Sequence, residues 1–168
     1  DDEWVLDQAR AVLEDMPVAA IKVGMIGSID NAVAIAELAS DYPDIPLIYD
    51  PVLASGRGDE LSREELIHVL RDVLLPQVTV LTPNSIEARR LAANDDEDEE
   101  SLSVADCAKR LTRLGCDYVF ITGTHEATRD VENRLYDLAG EIRADTWPRL
   151  NGSFHGSGCT LASAIAGL

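Results

Sequence analysis

Hydrophobic and polar positions along the chain switch repeatedly between the spacing of a helix and that of a buried strand. Residues 3–15 carry apolar side chains at helical spacing, which predicts an amphipathic helix, and the mostly apolar run 19–26 predicts a buried strand. The same alternation continues along the chain. It predicts further strands at 45–52, 78–82 and 118–122, and helices at 30–40, 62–73, 84–92 and 103–115.

Capping signals support several of these helices. Asp30 and Ser103 stand where N-cap residues are expected, and Ser62 begins a capping box that Glu65 completes. Gly115 suits the end of the last of these helices, because glycine accepts the left-handed conformation that often follows a helix.

Strands that alternate with helices over short connections predict βαβ units and a parallel sheet. After residue 130 the pattern changes, and segments 134–138 and 141–147, joined around Gly140, predict an antiparallel hairpin at the sheet's edge. The sequence stops within an apolar helix predicted from Thr160 onward. The predicted fold class is α/β: an open, mostly parallel sheet flanked by helices. The ragged ends lead us to expect a piece of a larger domain.

Composition and charge narrow the classes of partner. Of 168 residues 46% are hydrophobic and 27% charged, which is typical of a globular protein. The net charge of −17 argues against a nucleic-acid backbone or an anionic membrane as partner, because both would repel the chain. The acidic run 95–100 is predicted to be a solvated loop rather than a cation site. Acidic residues still outnumber basic ones in the rest of the chain, which suits a protein adapted to high salt.

The chain has no apolar run near the ~18 residues needed to span a bilayer and no signal-peptide pattern at its start. Its three cysteines cannot all pair with one another. We therefore expect a reducing, cytoplasmic location.

Polar segments collect at the predicted carboxyl ends of the strands, where open α/β sheets bind their ligands. The segment 155–160 reads His-Gly-Ser-Gly-Cys-Thr, and its two glycines would let phosphate approach the backbone at the start of a helix. An ordinary glycine-rich helix start is the alternative. Cys159 falls in the first turn, where the helix dipole should lower its pKa, unless it is simply a buried, inert cysteine.

Two acidic residues are the candidates for binding Mg²⁺. Asp50 follows a strand and Glu87 begins a helix, and Mg²⁺ typically takes one or two carboxylates plus phosphate oxygens. The alternatives are a turn-forming aspartate and a glutamate that favours the helix dipole. The tripeptide 57–59, Arg-Gly-Asp, is interpreted as a loop. His125 and His155 lack the spacing of metal ligands, so no zinc site is predicted.

Segments 22–28, 49–52, 81–87 and 155–160 occur together in the order and spacing of one enzyme family. On these residues the chain resembles the hydroxymethylpyrimidine/phosphomethylpyrimidine kinases of the ribokinase-like superfamily, which act in thiamine biosynthesis. The resemblance implies that ATP and Mg²⁺ are used to phosphorylate 4-amino-5-hydroxymethyl-2-methylpyrimidine and then its monophosphate. It also implies a homodimer.

The resemblance also implies roles for individual residues. Gly156, Ser157, Gly158 and Cys159 would form an anion hole, with Cys159 as catalytic base or as positioner of the attacking hydroxyl. The other implied roles are metal and phosphate binding by Asp50 and Glu87, nucleotide or phosphate binding by Asn84 and Thr122, and pyrimidine binding by Met25 and Val52.

Two departures from the family pattern qualify these expectations. Thr122 stands where many members have a lysine that meets phosphate, which leaves open whether the second phosphorylation occurs. The family's first strand, its pyrimidine-binding segment and its last helices have no counterpart, so we expect residues 1–168 to be a partial kinase domain. A pyridoxal kinase is an alternative. Cys159 argues against it, because most members of the superfamily, pyridoxal kinases included, have aspartate at this position. A non-catalytic pyrimidine-binding module is another.

Overall fold

The structure is a computed structural model that describes residues 2–53, 60–152 and 154–168. Within these residues, helices and strands follow one another in the predicted order. The helices are α1 (Asp2–Asp15), α2 (Ile29–Asp41), α3 (Glu60–Val69), α4 (Ser85–Ala92), α5 (Val104–Arg113) and α6 (Ser157–Ala166). The strands are β1 (Ile21–Val23), β2 (Leu47–Tyr49), β3 (Val80–Leu81), β4 (Tyr118–Ile121), β5 (Asp130–Asp137) and β6 (Gly140–Pro148).

All six strands form one sheet in the order β1-β2-β3-β4-β5-β6. The first four strands are parallel to one another. Strand β5 pairs antiparallel with β4, and β6 pairs antiparallel with β5 at the edge of the sheet. The predicted α/β class and the edge hairpin are therefore confirmed. The strands β1 to β4 are shorter than predicted, because only part of each apolar run pairs with a neighbour and the rest leads into the adjoining loops.

Three predicted helix starts are wrong by a few residues. Ser28, not Asp30, is the N-cap of α2, because its Oγ accepts a hydrogen bond from the Asn31 N–H at 3.2 Å. Helix α3 already begins at Glu60, so Ser62 lies inside it rather than at a capping box. Helix α6 begins at Ser157, which brings the glycine-rich segment into its first turn instead of before it.

Other predicted helix ends are confirmed. Ser103 caps α5 by accepting a hydrogen bond from the Asp106 N–H at 3.1 Å. Gly115 follows α5 with φ of 117°, a left-handed conformation that glycine adopts without strain. A Cβ at Gly115 would also lie 2.7 Å from the Pro76 Cα, so glycine is needed there on two grounds.

The apolar core lies between the sheet and its helices. Helix α3 continues into a π-helical turn, Leu70–Leu74, and a 3₁₀ turn, Leu75–Gln77, which carry core leucines. The side chains with no exposed surface include Leu70, Leu74, Leu75, Leu81, Leu91, Leu111 and Val119. Helix α6 packs on β1 and β2, which brings its N-terminal turn to the region of the predicted site.

Helix α1 lies outside this core. It packs on α2 but buries none of its residues, and Arg10 ties the two helices together by ion pairs to Glu37 at 3.0 Å and Asp41 at 2.8 Å. Among the described residues, none of the helices combines the length and apolar character needed to cross a membrane. The acidic run 95–100 lies between α4 and α5 and is largely exposed, as predicted for a solvated loop.

Candidate functional site

The carboxyl ends of the parallel strands are joined by backbone hydrogen bonds that continue beyond the strands themselves. The Asp50 N–H donates to the Val23 carbonyl and the Thr82 N–H to the Tyr49 carbonyl, each at 2.9 Å. The Thr122 N–H donates to the Pro83 carbonyl at 3.0 Å. The residues that follow β1, β2, β3 and β4 are thus held side by side along one edge.

Asn84 and Glu87 form a reciprocal capping box at the start of α4. The Asn84 side-chain oxygen accepts from the N–H groups of Ile86 and Glu87, both at 2.9 Å, and Glu87 Oε2 accepts from the Asn84 N–H at 2.9 Å. The Ser85 N–H donates to the Thr122 carbonyl at 3.1 Å. Asn84, Glu87 and the end of β4 are therefore fixed relative to one another.

Glu87 lies near Asp50 and Tyr49 in a partly buried acidic cluster. Burial raises the pKa of Glu87, the charge of Asp50 adds to the shift, and hydrogen bonds from the N–H groups of Asn84 and Leu53 oppose it. Burial likewise raises the pKa of Tyr49, with the charges of Glu87 and Asp50 adding to the shift. The electrostatic repulsion between the two carboxylates favours a positive group beside them.

Asp50 is the most buried acid of the site. Its side chain is 7% exposed, and the Lys22 Nζ lies 3.5 Å from its Oδ2. Among the described residues Oδ2 has no hydrogen-bond partner, although it has almost no exposed surface. The Val52 N–H bonds to the carbonyl of Asp50 at 2.9 Å across Pro51, so the backbone makes a tight turn here. This backbone hydrogen bond forms the turn without the Asp50 side chain.

The first turn of α6 carries the glycine-rich segment. Gly156 is the N-cap with φ of 82° and ψ of 0°, a left-handed conformation that favours glycine. It has no side chain with which to cap the helix. A Cβ added at Gly156 or Gly158 would meet nothing within 4 Å, so the space around the first turn is open. An open, uncapped helix N-terminus can receive an anion.

Cys159 is exposed in this turn, and its thiol lies near the carboxylate of Asp50. A hydrogen bond from the thiol to Asp50 raises the pKa of Cys159, burial and the charge of Asp50 raise it further, and Lys22 opposes the shift. The expectation that the helix dipole lowers this pKa is therefore wrong. The nearby carboxylate dominates because a thiolate would stand directly beside a negative charge.

The loop that follows β4 is held in place by two arginines. The Arg149 guanidinium donates to the carbonyls of Thr124 at 2.6 Å, Glu126 at 2.9 Å and Thr128 at 3.2 Å. Arg89 pairs with Glu126 through two hydrogen bonds of 2.7 and 3.1 Å. Both guanidinium groups use several donors at once, so the loop has a defined position beside Thr122.

Gly123 fixes this loop against β5. Its N–H donates to the Asn133 side-chain oxygen at 3.2 Å. A Cβ at Gly123 would lie 2.3 Å from the Glu132 carbonyl oxygen, which no side chain can tolerate without a shift of the backbone.

The structure brings several predicted residues together and leaves others apart. Asp50, Glu87 and Cys159 form one neighbourhood, with Asn84 and Thr122 next to it. Gly156, Ser157 and Gly158 surround the N-terminus of α6 beside Cys159. The other two predicted residues lie in the segments after β1 and β2: Met25 is 58% exposed and Val52 is half-buried. The predicted loop 57–59 lies outside the described residues.

Sequence reasoning gave no role to Lys22, Tyr49 or Arg149. For Lys22 a signal was present, because a lysine inside an otherwise apolar strand segment needs a negative partner. For Arg149 the sequence pattern offers none, since its partners lie on a distant segment of the chain. For Tyr49 the sequence shows the neighbouring Asp50 but not the approach of Glu87.

The residues of the site fit a divalent metal ion that is shared with a ligand. Among the described residues, no group of three His, Cys, Asp or Glu side chains could hold a metal without further help. Asp50 Oδ2 is buried and lacks a hydrogen bond, and Glu87 lies close enough to interact with Asp50 electrostatically. One or two carboxylates with open space beside them match the way Mg²⁺ binds together with phosphate oxygens.

Comparison with known sequences shows similarity to kinases of thiamine biosynthesis. The sequence profile of phosphomethylpyrimidine kinase matches residues 1–168. The chain is 39% identical over 167 residues to the hydroxymethylpyrimidine/phosphomethylpyrimidine kinase of Streptomyces coelicolor, covering 98% of this chain and 60% of that enzyme. It is also 39% identical over 163 residues to the thiamine biosynthesis bifunctional protein ThiED of Geobacter sulfurreducens, covering 97% of this chain and 33% of that protein. The chain thus spans a third to three fifths of these relatives.

Solved structures share the fold. A pyridoxal kinase of Bacillus subtilis in complex with ADP superposes with a TM-score of 0.83 at 27% identity, covering 99% of this chain and 62% of that one. A phosphomethylpyrimidine kinase of Clostridium difficile superposes with a TM-score of 0.72 at 25% identity, covering 99% of this chain and 65% of that one. The ribokinase-like architecture is confirmed by these two neighbours.

Proposed function

The chain belongs to the phosphomethylpyrimidine kinase family, and we propose that its site transfers the terminal phosphoryl group of ATP to the hydroxymethyl group of a pyrimidine. The acceptor would be 4-amino-5-hydroxymethyl-2-methylpyrimidine and, in a second step, its monophosphate. The observation that carries the proposal is the meeting of Cys159, in an open helix N-terminus, with the buried carboxylate of Asp50. Sites of phosphoryl transfer need this combination of an anion-binding backbone and a metal-binding acid.

In this proposal each part of the site has a task. The N–H groups of the first turn of α6 bind and orient the phosphoryl group, and Gly156 directs them by its left-handed backbone. Cys159 lies beside the attacking hydroxyl. The carboxylate of Asp50 raises the pKa of Cys159, and a thiol with a raised pKa suits a hydrogen-bonding positioner better than a base.

The two acids hold the metal. Asp50 and Glu87 would bind Mg²⁺, which supplies charge neutralisation on the phosphate oxygens. Asn84, which caps the helix of Glu87, and Thr122, which pairs with Asn84, would contact phosphate or nucleotide. Met25 and Val52 are assigned to the pyrimidine, in the segments after β1 and β2.

Substrate comparison tests this proposal. The full-length protein is assayed for ADP release with hydroxymethylpyrimidine, with its monophosphate and with pyridoxal. We expect turnover with hydroxymethylpyrimidine, since the Streptomyces coelicolor relative at 39% identity carries that activity in its name. Turnover of pyridoxal alone would favour the alternative that the protein is a pyridoxal kinase, like the Bacillus subtilis enzyme whose structure this chain resembles. Tight pyrimidine binding without any turnover would favour a non-catalytic module.

Site variants connect turnover to the described geometry. Asp50→Asn removes the buried charge, and Asp44→Asn is a matched control in an exposed position. We expect Asp50→Asn to lower kcat by two orders of magnitude or more, roughly what loss of a metal-binding or acid–base group costs. Equal activity of the two variants would contradict the assignment of Asp50.

The homodimer and the cytoplasmic location remain predictions that accompany this function. The three cysteines are all free, which supports a reducing compartment. Sedimentation analysis of the full-length protein measures the oligomeric state directly.

A further inference from the structure

Lys22 is the charged residue of the site whose role the family resemblance leaves unassigned. It is the middle residue of β1, flanked by apolar neighbours, and its side chain is 23% exposed. Its Nζ lies 3.5 Å from Asp50 Oδ2, an atom that otherwise has no hydrogen-bond partner among the described residues. Lys22 therefore neutralises the most buried acid of the site.

The backbone after β1 is shaped to admit this ammonium group. A Cβ on Gly24 would lie 3.0 Å from the Lys22 Nζ, so a side chain at that position would press on the ammonium. Gly24 lets Lys22 fold toward the carboxyl edge of the sheet. There its charge also acts on Cys159, whose pKa it lowers.

The Lys22–Asp50 pair differs from the other ion pairs of the described chain. Those pairs are made by arginine, apart from one made by His68, and the Arg89–Glu126 pair has two hydrogen bonds of 2.7 and 3.1 Å. The chain as a whole has twelve arginines and two lysines, Lys22 and Lys109. Lysine carries a compact charge on a flexible stem and lacks the rigid fork of arginine, so it suits a partner that is exchanged.

We propose that Lys22 and a divalent metal ion compete for Asp50. The ammonium neutralises Asp50 while the metal is away, and it releases the carboxylate when the metal and its nucleotide bind. The proposal rests on the proposed function in one respect, namely that a complex of metal and nucleotide binds at Asp50. A buried carboxylate without any cation would be costly, so the exchange keeps Asp50 compensated in both states. The released ammonium stays at the same edge of the sheet, where a phosphate attracts it.

Metal binding without nucleotide tests the competition. Mn²⁺ serves as the probe, and its Kd is measured by water proton relaxation at fixed pH and ionic strength. We expect Lys22→Met and Lys22→Gln to bind Mn²⁺ more tightly, on the order of tenfold, the effect of one unit charge at this distance under water-like screening. Lys22→Arg keeps the positive charge on a rigid fork and should bind Mn²⁺ no more tightly than wild type. Lys109→Met is the matched control and should leave the Kd unchanged.

A second pair of variants shows whether the effect passes through Asp50. Asp50→Asn should abolish Mn²⁺ binding or leave a weak binding that Lys22→Met no longer changes. An unchanged Kd in folded Lys22→Met and Lys22→Gln overturns the proposal, as does equal tightening in the Asp50→Asn background. Circular dichroism verifies that each variant is folded. The measurement of Mn²⁺ binding needs no turnover, so it can be interpreted even if the protein is not a kinase. A protein without kinase activity in which Lys22→Met still tightens Mn²⁺ binding tenfold would refute the proposed function and support the competition for Asp50.

Discussion

Replacement of Gly123 by alanine probes how tightly the loop after β4 is held. The new Cβ would lie 2.3 Å from the Glu132 carbonyl oxygen, while real Cβ contacts essentially never fall below 3.0 Å. The backbones of the β4 end and of β5 must therefore separate by about 0.7 Å or more. The φ of Gly123 is not positive, so alanine is otherwise compatible with its conformation.

The expected loss of stability combines three contributions. Overpacking of this kind costs about 1–3 kcal/mol. The hydrogen bond from Gly123 to Asn133 contributes about 1 kcal/mol, which the shift would weaken or remove. A glycine-to-alanine change recovers roughly 0.4–1 kcal/mol by restricting the unfolded chain. We expect Gly123→Ala to lower the free energy of unfolding by about 2 kcal/mol, or Tm by roughly 4–8 °C for a chain of this size.

Gly27→Ala is the matched control for this experiment. Its Cβ would meet nothing within 4 Å, and its φ is not positive, so alanine should be neutral or slightly stabilising there. Urea unfolding followed by far-ultraviolet circular dichroism gives the two free energies. If Gly123→Ala were as stable as Gly27→Ala, the close approach of the β4 loop to β5 would be refuted. Nucleotide KM should rise in Gly123→Ala and not in the control if the loop also serves the site.

Three further predictions follow from other contacts. Asn84→Ala removes the capping box of α4 and should cost about 1–2 kcal/mol in urea unfolding, whereas an unchanged midpoint would show that the box is not formed. A hydrogen bond from its arginine partner lowers the pKa of Glu97 to about 2, so its contribution to stability is present above the ordinary carboxyl pKa and is lost as pH falls toward 2. Glu97→Gln should therefore be less stable than wild type at pH 7, and the difference should shrink in acid; a difference that grows in acid contradicts the pair. In the native protein one thiol, that of Cys159, should react with iodoacetamide at pH 8 while Cys107 and Cys116 stay protected by burial, and fast labelling of all three would contradict the described core.

The fold could be predicted from the sequence because its signals are local. The spacing of apolar residues separates helices from strands, and Ser103 and Gly115 mark the two ends of α5 through their local conformation and hydrogen bonds. Where two residues compete for one helix start, the sequence does not decide. Ser28 caps α2 in place of Asp30 because the β-region backbone of Ser28 aims its hydroxyl at the first turn.

The candidate site could be predicted only in its parts. The carboxyl ends of neighbouring strands meet, so the sequence predicts that Asp50 and Glu87 lie at the same edge of the sheet. The pKa of Cys159 depends on how α6 packs across β1 and β2, which brings the thiol to Asp50, and no local pattern reports that packing. Arg149 holds the loop after β4 by hydrogen bonds to Thr124 and Glu126, which lie more than twenty residues away in the sequence. No local sequence pattern indicates these contacts.

The most direct measurement follows the phosphoryl group itself. ³¹P NMR of the full-length protein with ATP, Mg²⁺ and 4-amino-5-hydroxymethyl-2-methylpyrimidine would record the products. We predict a new phosphomonoester resonance that grows together with ADP, and that slows by roughly a hundredfold or more in Asp50→Asn while Asp44→Asn retains the wild-type rate. Absence of this resonance, or its appearance at equal rates in the two variants, would contradict a phosphoryl-transfer site built around Asp50 and the first turn of α6.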